Sequence, residues 1–138
     1  MSRVKVNWLG DYQTEIEVRN LHHLTGDEAP EYGGQDTGPM PTDYLLVAVG
    51  TCMCLAVAHV AKKRRLTLGR LKVGVSAHKH EKEFRFDSID LFIQADLPPE
   101  QLDPLVEQAR RVCFVSNTIT AACPVNVAAE TIGTQENV

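Results

Sequence analysis

From Tyr44 to Val60 the chain is apolar at nearly every position, interrupted only by Gly50, Thr51 and His59 and closed by Lys62, Lys63, Arg64 and Arg65. Length and the lack of alternation predict a helix, apolar nearly all round. Pro41 suits the first helical position, Asp43 the positive N-terminal end and the basic quartet the negative C-terminal end, so the cations need no nucleic acid to explain them. A helix this apolar either spans a bilayer or forms the centre of a core. At about 17 residues it falls short of the roughly 20 that a bilayer needs, which favours burial and no membrane. A 15.3 kDa chain has too little material to cover such a helix on every side, so part of the cover is expected from a second copy, making a homodimer.

The remaining elements follow from shorter patterns. Val4, Val6 and Trp8 alternate with Lys5 and Asn7, Gly10 and Asp11 supply a turn, and Tyr12, Thr14, Ile16 and Val18 alternate in turn, predicting a half-buried β-hairpin. Residues 25–41, TGDEAPEYGGQDTGPMP, cannot sustain a regular element; two readings stand, a loop that covers a site or a partner and a surface excursion. Two strands are expected from Leu71, Val73, Val75 and Ala77 and from Ile89, Leu91, Ile93 and Ala95, joined by the charged stretch from His78 to Arg85. Pro98 and Pro99 open an amphipathic helix with Leu102, Leu105, Val106, Ala109 and Val112 on its apolar face. The tail from Pro124 to Gly133, alternating at Val125, Val127 and Ala129, reads as a last strand. The fold class is α+β, one unit over residues 1–138 in the order β-β-helix-β-β-helix-β.

A formal net charge of -4 gives no long-range attraction to phosphate backbones or anionic lipid, so nucleic acid is not an expected partner. The opening MSRVKVNW carries no apolar run to act as a signal peptide, and the expected compartment is the reducing cytoplasm. There the four cysteines are either packing residues or members of a transient, catalytic pair. Cys52 and Cys54 lie two positions apart on the apolar helix, about 200° around its axis, and so cannot share a ligand. No metal and no cofactor is expected on that spacing. Cys113 falls at the end of the amphipathic helix and Cys123 at the start of the tail strand.

The helix entrance Gly38-Pro39-Met40-Pro41-Thr42-Asp43-Tyr44-Leu45-Leu46, followed by Gly50-Thr51-Cys52, resembles that of the OsmC/Ohr family of thiol-dependent hydroperoxide reductases, as does the preceding GGQDTGP. Cys113-Phe114-Val115-Ser116-Asn117 is similar to the second cysteine motif of that family. The resemblance implies an OsmC-like fold with antiparallel sheets around a long central apolar helix, as an intertwined homodimer with its sites between the subunits. It also implies that Cys52 attacks a small peroxide, becomes a sulfenic acid, is resolved by Cys113 and is returned to the dithiol by a thiol reductant. Ala122-Cys123-Pro124 keeps a proline that Cys113 lacks, so Cys123 stands as the alternative resolving residue.

The resemblance also implies a Glu that holds an Arg beside the first cysteine. Thr42 stands at the Glu position, and Asp11 or Tyr12 at the Arg position, so this chain departs from the pattern. Asp43, Arg19 and Tyr44 are the supporting candidates nearby, with His22, His23, Arg64 and Arg65 as other groups able to act on Cys52; His59 lies about 10 Å along the same helix face, too far for contact. Two further readings are a non-catalytic dimer that binds a small apolar ligand between its subunits and a cysteine hydrolase or transferase.

Overall fold

In a computed structural model, which describes residues 3–133, the chain is an α+β fold with two separate antiparallel sheets and three α-helices. The alternating start forms β1 (Val4–Gly10) and β2 (Gln13–Val18), reversed where Gly10 and Asp11 take φ of 111° and 48°. Val4 lies opposite Val18 and Val6 opposite Ile16, so the apolar positions of both strands share a face. A third strand, β3 (His22–Gly26), pairs antiparallel with β2. His22 and His23, expected in the connection between hairpin and loop, therefore belong to an edge strand, and the segment HHLTG is too short and polar to announce itself by alternation.

The segment after β3 is ordered around one carboxylate. Asp27, only 2% exposed, accepts hydrogen bonds from the N–H groups of Glu28, Gln35 and Thr37 and from the Thr37 hydroxyl. A 3-10 turn at Pro30–Tyr32 completes the loop, and Lys79 Nζ donates to the Tyr32 hydroxyl at 2.8 Å, tying the turn to the end of the fourth strand. Gly34 is required by close approach, since a Cβ there would lie 1.9 Å from the Glu28 carbonyl oxygen.

Helix α1 (Pro41–Lys63) begins where Asp43 accepts a hydrogen bond from the Met40 N–H at 3.0 Å. One side of it buries Met53, Val57 and Val60 against Leu105 and Ala109 of α2 (Pro99–Val112). A neighbouring side rests on the sheet of β4 (Leu71–Lys79) and β5 (Phe86–Ala95), which pair in register with Val73 opposite Ile93. Gly50 permits that approach: a Cβ there would come within 2.6 Å of Val75 Cγ2.

The C-terminal third departs from expectation in two places. Cys113 ends α2 as expected, in extended conformation (φ -77°, ψ 99°), but is followed at once by a helix that was not expected, α3 (Phe114–Ala121), with Asn117 Nδ2 donating to the Arg111 carbonyl across the break. The segment VSNTIT is rich in β-branched residues and gave no helical signal. The tail expected as a last strand carries no regular element from Cys123 to Gly133, and Val125 and Val127 are 87% and 90% exposed. Alternation is only half of a strand; the other half is a neighbour to pair with, and the single chain offers the tail none. The hairpin expected to be half-buried is likewise open, with Trp8 74% exposed. Val47 and Leu55 on α1 are also exposed.

Candidate functional site

Cys52 lies about three turns into α1, beyond reach of the helix dipole at its N-terminus. Its side chain is half-buried and packs against the cluster formed by Val57, Leu105, Ala109 and Cys113. Cys113 is fully buried at the break between α2 and α3, which turns its sulfur back toward α1. Its Sγ lies 3.1 Å from Ser116 Oγ. As a neutral thiol it donates to that oxygen; as a thiolate it accepts from the hydroxyl. Burial pushes the Cys113 thiol up, but the Ser116 hydroxyl, the N–H groups of Ser116 and Val115 and the Cys52 side chain together outweigh it and hold the thiol below its ordinary value. The two cysteines distant in sequence are thus neighbours.

The other two cysteines are elsewhere. Cys54 lines a shallow hollow on the opposite side of α1 with Gly50, Thr51, Leu55 and Val75, as a separation of about 200° requires. Cys123 is exposed beyond Ala122, whose φ of 53° ends α3. Among the described residues, no three His, Cys, Asp or Glu side chains are grouped as metal ligands would be.

Of the supporting candidates, the structure brings Thr42 to the wall of a cavity shared with Ser116 and engages the others otherwise. Asp43 caps its helix. The Tyr44 hydroxyl donates to the Thr25 carbonyl, anchoring β3 to α1. Arg19 turns toward His22 at 3.4 Å, in the turn between β2 and β3. Arg64 donates to Gln108 on α2. Ser116 was quoted in the sequence motif without a role. The available signal was its spacing: a cysteine at the N-cap and a hydroxyl three residues later is the geometry in which cap and third helical residue meet.

A cavity of about 1080 Å³ opens at Ser116, the hydrogen-bond partner of Cys113, although neither Cys52 nor Cys113 is part of its lining. Thr42, Leu45 and Val49 line it from α1, Phe86, Ile89 and Leu91 from β5, and Ser116, Ile119 and Thr120 from α3. Val49 precedes Cys52 by three residues, so the apolar stripe along α1 leads from Thr42 toward the cysteine. The rim is the charged β4–β5 connection, where Arg85 pairs with Glu83 and Asp87. A second apolar concavity, about 800 Å³, lies on the open face of the three-stranded sheet beneath Tyr32 and Tyr44.

Two antiparallel sheets, a long apolar helix carrying Cys52 and a further cysteine, Cys113, at a helix break define the class of OsmC-fold proteins. A profile of the OsmC-like protein family matches residues 34–128, most of the chain, and the protein belongs to that family. Among solved structures it is similar to an organic hydroperoxide resistance protein OsmC from Legionella pneumophila, with 22% identity, 86% of this chain and 88% of that one covered and a TM-score of 0.71. It is also similar to a putative organic hydroperoxide resistance protein from Vibrio cholerae, solved with captopril in one of its active sites, with 24% identity, 88% and 85% coverage and a TM-score of 0.70. An OsmC-like protein from Mycoplasma pneumoniae gives 16% identity, 88% and 89% coverage and a TM-score of 0.76. Among curated proteins, none matches the sequence. Helix α1 is long and apolar enough to cross a membrane by length and composition alone. Within this fold its buried face is occupied by α2 and the β4–β5 sheet, as in the core helix of a globular domain.

Proposed function

We propose that the protein is a thiol-dependent reductase of organic hydroperoxides, with Cys52 as nucleophile and Cys113 as resolving residue. The observation that carries this reading is the packing of Cys52 against Cys113, whose hydrogen-bond partner Ser116 lines a mainly apolar cavity. The Cys52 thiolate attacks the terminal peroxide oxygen; the O–O bond breaks, the alkoxide takes a proton and leaves as an alcohol, and Cys52 becomes a sulfenic acid. The Cys113 thiolate then attacks the Cys52 sulfur, forming the disulfide and expelling hydroxide, which leaves as water. A dithiol reductant from a reducing cytoplasm restores both thiols. Apolar lining favours a hydroperoxide with an organic tail over hydrogen peroxide.

The working unit in this proposal is an intertwined homodimer. The open face of the three-stranded sheet and the exposed side of α1 together present apolar surface that a soluble monomer would not leave bare.

The test is to mix reduced protein with substoichiometric cumene hydroperoxide, follow thiol loss and map the oxidised peptides. Rapid loss ending in a Cys52–Cys113 disulfide supports the reading, C52S should abolish turnover, and C113S should accumulate a sulfenic acid that a dimedone probe traps. Turnover retained in C52S would end it. A specific observation favours a second reading, a non-catalytic binder of a small apolar ligand: Arg19, Asp43 and Tyr44 are all engaged away from the thiols. Tight binding of an apolar ligand, unchanged in C52S and without thiol oxidation, would establish that reading instead.

A further inference from the structure

In the reductase reading a buried sulfur must act as an anion, and burial opposes this. Two features of the fold meet at that sulfur. Ser116 Oγ is 3.1 Å from Cys113 Sγ. Helix α3 begins at the next residue, so the sulfur sits at the positive end of that helix. Ser116 is itself held in the helix, its carbonyl accepting a hydrogen bond from the Thr120 hydroxyl at 3.0 Å.

We propose that Ser116 is a positioning residue: its hydroxyl donates to Cys113 and, with the first turn of α3, keeps that sulfur as a thiolate facing Cys52. The net direction already described for this thiol, below its ordinary value in spite of burial, agrees with the geometry. The use of this thiolate rests on the reductase reading, and it affects both halves of the cycle. In the oxidative half it supplies the electron pair that forms the S–S bond as hydroxide leaves Cys52. In the reductive half it decides which sulfur is attacked. A dithiol reductant meets the half-exposed Cys52 sulfur rather than the buried one, the S–S bond breaks, and its electron pair leaves on Cys113, the better-stabilised thiolate. The second thiol of the reductant then attacks its own partner sulfur and frees Cys52.

The experiment is a pH titration of the Cys113 Cβ resonance by ¹³C NMR in the full chain, for the wild type, Ser116→Ala and Ser116→Thr. Loss of the hydroxyl should raise the Cys113 midpoint by about one pH unit, which is about tenfold less thiolate at any pH below it, while Ser116→Thr keeps the wild-type midpoint. In stopped-flow with cumene hydroperoxide, Ser116→Ala should slow disulfide closure more than it slows formation of the Cys52 sulfenic acid, and Ser116→Thr should restore closure. Ser116→Thr and Ser116→Val are nearly isosteric and differ by one hydroxyl, so that pair supplies the same comparison should the alanine variant misfold. Equal midpoints with and without the hydroxyl overturn the positioning role. A hydroxyl-dependent midpoint in a protein that forms no Cys52–Cys113 disulfide sinks the reductase reading and upholds the Ser116–Cys113 assignment.

Discussion

At the scale of single residues, two polar groups do unlike work under similar burial. In the proposed reading Cys113 is an anion-capable sulfur placed for reaction, whereas Asp27 is a carboxylate placed for architecture. Burial pushes Asp27 up, but the Thr37 hydroxyl and the N–H groups of Thr37, Glu28 and Gln35 outweigh it and hold its carboxyl below the ordinary 3.8. A carboxyl depressed in the folded state contributes stability that is fully present above its unfolded value and is lost as pH falls through the folded one. Thermal melts from neutral to strongly acidic pH should therefore show Asp27→Asn destabilised at pH 7, with the gap to the wild type narrowing in acid. A gap of constant size across that range would mean the carboxylate charge is not what holds the loop. Nothing about Asp27 in the sequence separates it from Asp36 or Asp11; its role exists only because Gly34 lets residues 27–37 close on one point.

Among elements, α1 does most to place the site, and its apolar run was enough to predict both its existence and its ends near Pro41 and Lys63. What it packs against depends on particular contacts. Leu105 of α2 is fully buried against it, so Leu105→Ala should lower unfolding free energy in urea by about 2–5 kcal/mol. Gly50→Val should also destabilise, because the added side chain meets Val75 on β4. An increase in stability for that variant would show that α1 can move off the sheet at little cost. The end of α2 at Cys113 was legible in the sequence, but the helix α3 that follows it was not, since Val115, Thr118, Ile119 and Thr120 are β-branched. Tertiary packing of α2 and α3 on α1 makes the break, and the break aims the thiol.

For the whole molecule, the distribution of apolar surface is the informative quantity. The three-stranded sheet and the far side of α1 leave Trp8, Val47 and Leu55 exposed, and in the dimer proposal a second copy covers them. Analytical ultracentrifugation should find a dimer at micromolar concentration, and Trp8→Glu or Leu55→Glu should shift it toward monomer or make it insoluble; a wild-type monomer that stays soluble would defeat the dimer proposal. Melting temperature should rise with protein concentration if folding and association are linked.

The sequence by itself determined the local periodicities: the long apolar helix, the β1–β2 and β4–β5 hairpins, the amphipathic α2 and the two cysteine motifs. Those are short-range signals, set by side-chain spacing of 2 or about 3.6 residues. It did not determine β3, whose five residues become a strand because β2 supplies an edge, nor α3, whose β-branched residues become helical once Cys113 breaks the chain direction. It misread the tail, because alternation without a neighbouring edge is not a strand. The meeting of Cys52 with Cys113, the Ser116 hydroxyl at the buried sulfur and the Asp27 loop join residues through the packing of separate elements, or through a turn that only glycine allows. Such juxtapositions have no periodicity to betray them, and only the tertiary structure decided them.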